Sequence, residues 1–200
     1  MRSYSAPVLS YLQSRDGYLT RSLLWVRARN RGTGAEETIG LWTGEETRSF
    51  TIGGIARTYY GAGAMLAIER IVMQTGLTVR MQRLTLSPLA PEVAQLLRGY
   101  DAGLAPAEIH RALFDPMTGD LIAEPHQVWQ GVIDAAPIHT AEIGATSTVE
   151  VTLASAARAL TKGLTITKSD AVQRLRGGDR FRRYGDVTGQ VKVAWGEKRL

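Results

Sequence analysis

Leu77-Thr78-Val79-Arg80-Met81-Gln82-Arg83-Leu84-Thr85-Leu86 is the stretch on which the fold class turns. Leu77, Val79 and Met81 are apolar, and Thr78, Arg80 and Gln82 between them are polar. Period two puts alternate side chains on opposite faces of an extended chain, whereas a helix would scatter them around its axis. The stretch therefore reads as a strand with one face on a core. Past Arg83 the apolar positions shift to Leu84 and Leu86. A β-bulge is expected there, because one extra residue exchanges the two faces.

The same period recurs on both sides. Toward the N-terminus, Leu19–Arg29 places Leu24, Val26 and Ala28 on one parity and Trp25, Arg27 and Arg29 on the other. Arg31-Gly32-Thr33-Gly34 is a turn, and Glu37–Thr43, Arg48–Ile52 and Ala56–Tyr60 continue a meander joined by glycine turns. Leu66, Ile68 and Ile71 read as another strand. Toward the C-terminus, Ala107–Phe114, Val128–Ile133 and Thr148–Leu153 are strands. In the first of these, Glu108, His110 and Ala112 form the polar face, which makes His110 a surface or interface residue. Asp115–Asp120 is a turn closing a hairpin, with Gly119 free to take positive φ.

Helices are few. Val8, Leu9 and Leu12 fit a short amphipathic helix over 6–13. A second begins either with Ser87 as cap and Pro88 at its first position, or at Pro91, and stops at Gly99. Ser155–Leu160 and Ser169–Arg176 are two more, and Val187–Trp195 is a last strand or extended tail. The fold class is mainly β with short helices: a small barrel or sandwich core with an extended basic C-terminal segment.

The chain has 200 residues, 44% hydrophobic and 22% charged, the usage of an ordinary globular domain. With no cysteine, it can form no disulfide, thiolate zinc site, iron–sulfur cluster or cysteine nucleophile. No apolar run reaches the roughly 20 residues of a membrane-crossing helix, so no membrane anchor is expected. His110, His126 and His139 are isolated in sequence, and no metal site or other cofactor is predicted. Gly61-Ala62-Gly63 lacks the third glycine and the following helix of a dinucleotide fingerprint, and reads as flexible backbone. Glu36-Glu37 and Glu45-Glu46 read as solvated turn residues. No nucleophile elbow or phosphate loop occurs.

The charge of +5 is uneven. Residues 162–200 hold ten Lys/Arg against four Asp/Glu, and the first 161 hold fourteen against fifteen. A β-rich body over 1–161 and a basic helix-and-arm over 162–200 are therefore the expected parts. Arg174, Arg176, Arg180, Arg182 and Arg183 interleave with Phe181 and Tyr184, and Trp195 follows. Such a segment can bind single-stranded nucleic acid. It can equally pair with carboxylates of a neighbouring subunit, since interfaces are rich in Arg and aromatics. The interface is the reading carried forward, and no stable nucleic-acid partner is expected. Trp25, Trp42, Trp129 and Trp195, read as exposed, likewise favour a closed homo-oligomer.

Several patches, in order, resemble tail-tip hub and distal tail (baseplate hub) proteins of long-tailed bacteriophages and phage-like particles. They are Leu23-Leu24-Trp25-Val26-Arg27, Gly40-Leu41-Trp42-Thr43-Gly44, Arg57-Thr58-Tyr59-Tyr60-Gly61-Ala62-Gly63, Leu113-Phe114-Asp115-Pro116-Met117-Thr118-Gly119, Gln130-Gly131-Val132-Ile133-Asp134 and Gly177-Gly178-Asp179-Arg180-Phe181. Ala194-Trp195-Gly196-Glu197 is similar to a terminus common in that family. The resemblance implies a β-barrel core of tail-hub type and a non-enzymatic, structural role. It implies a ring at the virion tail tip, assembled in the host cytoplasm, that links the tube end to the central fibre or receptor-binding parts. A homotrimer is preferred and a hexamer is the alternative; the distal tail ring, tape measure and central fibre are the implied neighbours. Some relatives bind an iron–sulfur cluster through C-terminal cysteines, which this chain lacks. The chain ends soon after the arginine-rich segment, as expected of a minimal form.

Overall fold

A computed structural model describes residues 4–15, 17–72, 76, 78–142, 147–161, 163, 167–185, 187–190 and 196. The chain divides into two compact units, Met1–Thr161 and Lys162–Leu200. The first is mainly β with a few short helices, its main sheet curled into a half-barrel.

Helix α1 (Ala6–Ser14) opens the body and buries only Val8. The strands are β1 (Leu19–Asn30), β2 (Glu36–Trp42), β3 (Arg48–Ile52), β4 (Ile55–Tyr59), β5 (Met65–Ile68), β6 (Met81–Leu86), β7 (Tyr100–Asp101), β8 (Pro106–Phe114), β9 (His126–Ala135), β10 (Ile138–His139) and β11 (Thr148–Ser155). The main sheet runs β2-β1-β8-β9-β11-β6-β5, all antiparallel, while β3 and β4 form a separate hairpin.

The curl follows from chain length. Tyr60 exchanges backbone hydrogen bonds with Gly40 and Trp42 at the β2 edge, at 2.9 and 3.0 Å. Five residues later Met65 begins β5, on the opposite edge. Five residues reach about 18 Å at most. Seven flat strands, spaced about 4.8 Å apart, would separate those edges by about 29 Å. The sheet therefore bends round its inner core, which holds Leu24, Val26, Ile39, Leu41, Leu84, Leu86, Ile109, Val149, Val151 and Leu153. Val93 and Leu96 join this core from α2 (Pro91–Ala94) and the π-turn Gln95–Gly99 that continues it.

A second core lies on the other face. Leu23, Trp42, Phe50, Ile52, Tyr59, Ala112 and Phe114 pack there, with the β3–β4 hairpin as their cover. β1 and β8 are thus buried on both faces. Gly40 allows the close approach: a Cβ there would collide with the Thr58 carbonyl and come within 2.8 Å of the Tyr59 ring. Each large apolar side chain so covered contributes about 1.5–3 kcal/mol.

Several expectations change. No bulge follows Arg83, because β6 pairs with β11 residue for residue from Leu86 to Met81. Gln82, Leu84 and Leu86 share the buried face, and Met81 points outward. Gln82 takes an apolar place because its amide donates to the Glu69 carbonyl at 2.7 Å. His110 is 3% exposed, since the hairpin covers the face its neighbours marked as polar. Trp42 is buried, and Trp25 and Trp129 are half-buried. Gly61 is a packing residue, its Cβ position blocked by backbone of Gly44 and Glu46. Glu36 and Glu37 begin β2 and are not turn residues. Ser155 ends β11, leaving only Arg158–Thr161 (α3) helical. At Asp115–Asp120 the hairpin forms in reduced extent, closed by a single bridge from Phe114 to Leu121.

Candidate subunit interface

In the Lys162–Leu200 unit, Ser169 Oγ accepts from the Val172 N–H and caps α4 (Asp170–Arg174). Asp170 in the first turn and Arg174 in the last complement the helix dipole. Gly177 and Gly178, at φ 66° and 81°, then turn the chain in a conformation that side chains disfavour. The Asp179 carboxylate accepts from Gln173 Nε2 at 2.7 Å and from the Phe181 N–H at 2.9 Å. These two bonds hold its pKa below the ordinary carboxylate value. Arg180 Nη2 lies 3.1 Å from Asp170 Oδ2.

This bracing engages Asp170 through Oδ2 and Asp179 through both oxygens, and leaves most of the arginines over. Among the described residues, Arg174, Arg176, Arg182 and Arg183 have no carboxylate within ion-pair reach. Arg183 instead stacks on Tyr184, 5.3 Å from the ring centre. Arg176, Phe181 and Arg182 share the lining of a hollow of about 320 Å3 with Val172 and Gln173. Phe181 and Leu175 are both 84% exposed, and Tyr184 64%. No described residue of this unit is buried. A segment without a core cannot offset the entropy of ordering by itself. What it presents is a basic, aromatic surface.

The structure thus places Arg174, Arg176, Arg180, Phe181, Arg182, Arg183 and Tyr184 in one unit and brings Arg176, Phe181 and Arg182 together. Arg180 is partly committed to Asp170. Trp195 lies outside the described residues; of the expected 187–195 tail, Thr188–Gln190 form a 3-10 turn. Sequence reading missed Leu175, whose signal was an apolar residue between two arginines.

A partly buried polar cluster lies between the β3–β4 hairpin and the sheet. Arg57 Nη1 on β4 donates to Glu108 Oε2 on β8 at 2.8 Å and stacks on Trp25 at 5.1 Å. His110 Nε2 is 3.7 Å from the same carboxylate oxygen. Burial lowers the His110 pKa to about 4, against the opposing pull of Glu108. Burial also raises the Tyr59 hydroxyl to about 12, with Arg57 pulling the other way. His110 is too covered for a substrate to reach, so the cluster fastens the hairpin to the sheet. Asp115 Oδ1 is turned onto the N–H groups of Met117 and Thr118, at 2.7 and 3.4 Å. Among the described residues no group of three or more His, Cys, Asp or Glu is placed to hold a metal ion.

No protein-family model matches the chain, and no curated protein matches it. Among solved structures it is similar to a chain of the "Virion of native gene transfer agent (GTA) particle". The TM-score is 0.53 and the identity 18%, over 83% of this chain and 50% of that one. The chain therefore spans about half the length of the chain it matches. At this identity the likeness is one of fold.

Proposed function

We propose that this protein is a non-enzymatic structural component of a phage-like virion: a hub ring at the tail tip linking the tube end to the central fibre or receptor-binding parts. The observation that carries this reading is the shared fold with a virion chain over 83% of the length. The ordered sequence patches support the same role, and so does a C-terminal unit that exposes Phe181, Tyr184 and several unpaired arginines. Arg174, Arg176, Arg180, Phe181, Arg182, Arg183, Tyr184 and Trp195 are the proposed subunit contacts. The ring is a homotrimer, with a hexamer as the alternative, and its neighbours are the distal tail ring, the tape measure and the central fibre. Partly buried arginine forks give such contacts strength and register.

The test is to label the protein in purified particles and image the tails. Label confined to the tip, and tipless tails when the gene is deleted, are the expected results. Label on the capsid, or intact tips in the deletion, overturns the proposal. Reversing Arg180 and Arg183 to Glu should block tip assembly and leave the fold intact. If tips form normally while single-stranded DNA binding with a steep salt slope is lost, the segment is a nucleic-acid site instead.

A further inference from the structure

The body carries a surface complementary to the C-terminal unit. A cleft of about 260 Å3 is lined by Leu19, Trp42 and Phe114, by Glu45 and Glu46, and by Arg21 and Arg48, with Gly119 beside them. Its size suits a side chain better than a small-molecule ligand. Its two nearest cations are engaged within the body. Arg21 donates to the Thr43 carbonyl at 3.2 Å. Arg48 lies over the rings of Phe50 and Phe114, at 5.5 and 5.2 Å. The carboxylates are not engaged: Glu45 and Glu46 are exposed, and among the described residues neither has a cation within 4 Å. Exposed Asp120 follows Gly119 directly, Leu19 is 42% exposed, and Met117 of the same turn is 91% exposed. Here a hollow of mixed lining sets apolar side chains beside two carboxylates that no described cation within 4 Å neutralises. In the C-terminal unit, exposed apolar side chains have free arginines between them.

We propose that the Arg180–Tyr184 segment of one copy docks on the Glu45–Glu46 cleft of a second copy of this chain, Phe181 entering the hollow and Arg182 and Arg183 meeting the acids. This deepens the hub reading and rests on it for the role of the C-terminal unit. The surfaces joined are different, so the contact is heterologous, and repeating it closes a ring when the rotation per copy divides the circle. Complementary charge fixes the register, and the entering aromatic excludes water.

The full chain is tested by light scattering across a concentration series. Wild type should form a closed oligomer whose dissociation constant rises with salt. R182E/R183E and E45K/E46K should each weaken assembly at least roughly tenfold while keeping the wild-type circular dichroism and melting temperature. Mixed in equal amounts, the two variants should associate with each other, because each arm then faces a cleft of opposite sign on the other copy; an even-numbered ring closes by alternating them, and a three-membered one stays open. A wild-type monomer at all concentrations overturns the proposal, as does assembly indifferent to E45K/E46K, or no association on mixing. The hub reading fails separately, if the protein is absent from tail tips. It survives this proposal if tips still require Arg180 and Arg183 although purified copies do not associate.

Discussion

His110 shows how burial turns a side chain into a pH-dependent element of the fold. Its pKa falls from 6.5 to about 4, so the folded state favours the neutral imidazole. Stability from this group is fully present above the unfolded value of 6.5 and is lost as pH falls toward about 4. The loss is about 3 kcal/mol at its lower limit. Urea unfolding of wild type and His110→Gln should diverge over that window, with the variant losing less stability on acidification; parallel curves would contradict the assignment. Arg57→Ala is expected to be costlier at neutral pH. It removes the Trp25 contact and leaves Glu108 half-covered without its cation. The expected loss is about 2–4 kcal/mol, read as a lower urea midpoint with unchanged slope.

The β3–β4 hairpin is the element that creates the second core. Its attachment rests on aromatic contacts, Phe50 with Trp42 at 5.3 Å and with Tyr59 at 5.7 Å, and on the close passage over Gly40. The obstacle to a Cβ at Gly40 includes backbone, which yields only if β4 moves away from β2. Gly40→Ala should therefore cost about 1–3 kcal/mol and raise amide exchange across Arg48–Tyr59, while the β11–β6 pairing keeps its protection. The bend at Gly44 and the turn at Asp115–Asp120 end at the same cleft, so loosening the hairpin should also weaken assembly if that cleft is an interface.

For the whole molecule, the distribution of burial separates stability from assembly. Every buried side chain among the described residues lies in the Met1–Thr161 unit. A chain ending at Thr161 should keep the cooperative unfolding transition of the full protein, with a melting temperature within a few degrees of it. It should fail to enter tail tips. A chain that fails to fold without residues 162–200 would show that the C-terminal unit belongs to the core.

Alternation by itself identified β1 and β8, because period two is local: it depends only on which side of an extended chain each residue takes. It also caught β6, but carried that strand back over 78–80, which lie outside it, and put Met81 on the wrong face. Net charge along the chain marked residues 162–200 for the same reason, as charge needs no partner to be counted. The bulge forecast after Arg83 failed because Gln82 is buried by a hydrogen bond to Glu69, thirteen residues away. His110 sat on a face its neighbours made polar, and it is covered by a hairpin whose Arg57 pairs with Glu108, 51 residues further on. The cleft beside Glu45 and Glu46 likewise exists only because β1, the Trp42–Arg48 bend and the turn after β8 end side by side. Short-range pattern was enough to determine the strands and the basic segment. Which faces are covered twice, and where unpaired acids come to lie beside apolar side chains, depends on contacts between distant residues, and tertiary structure alone decided it.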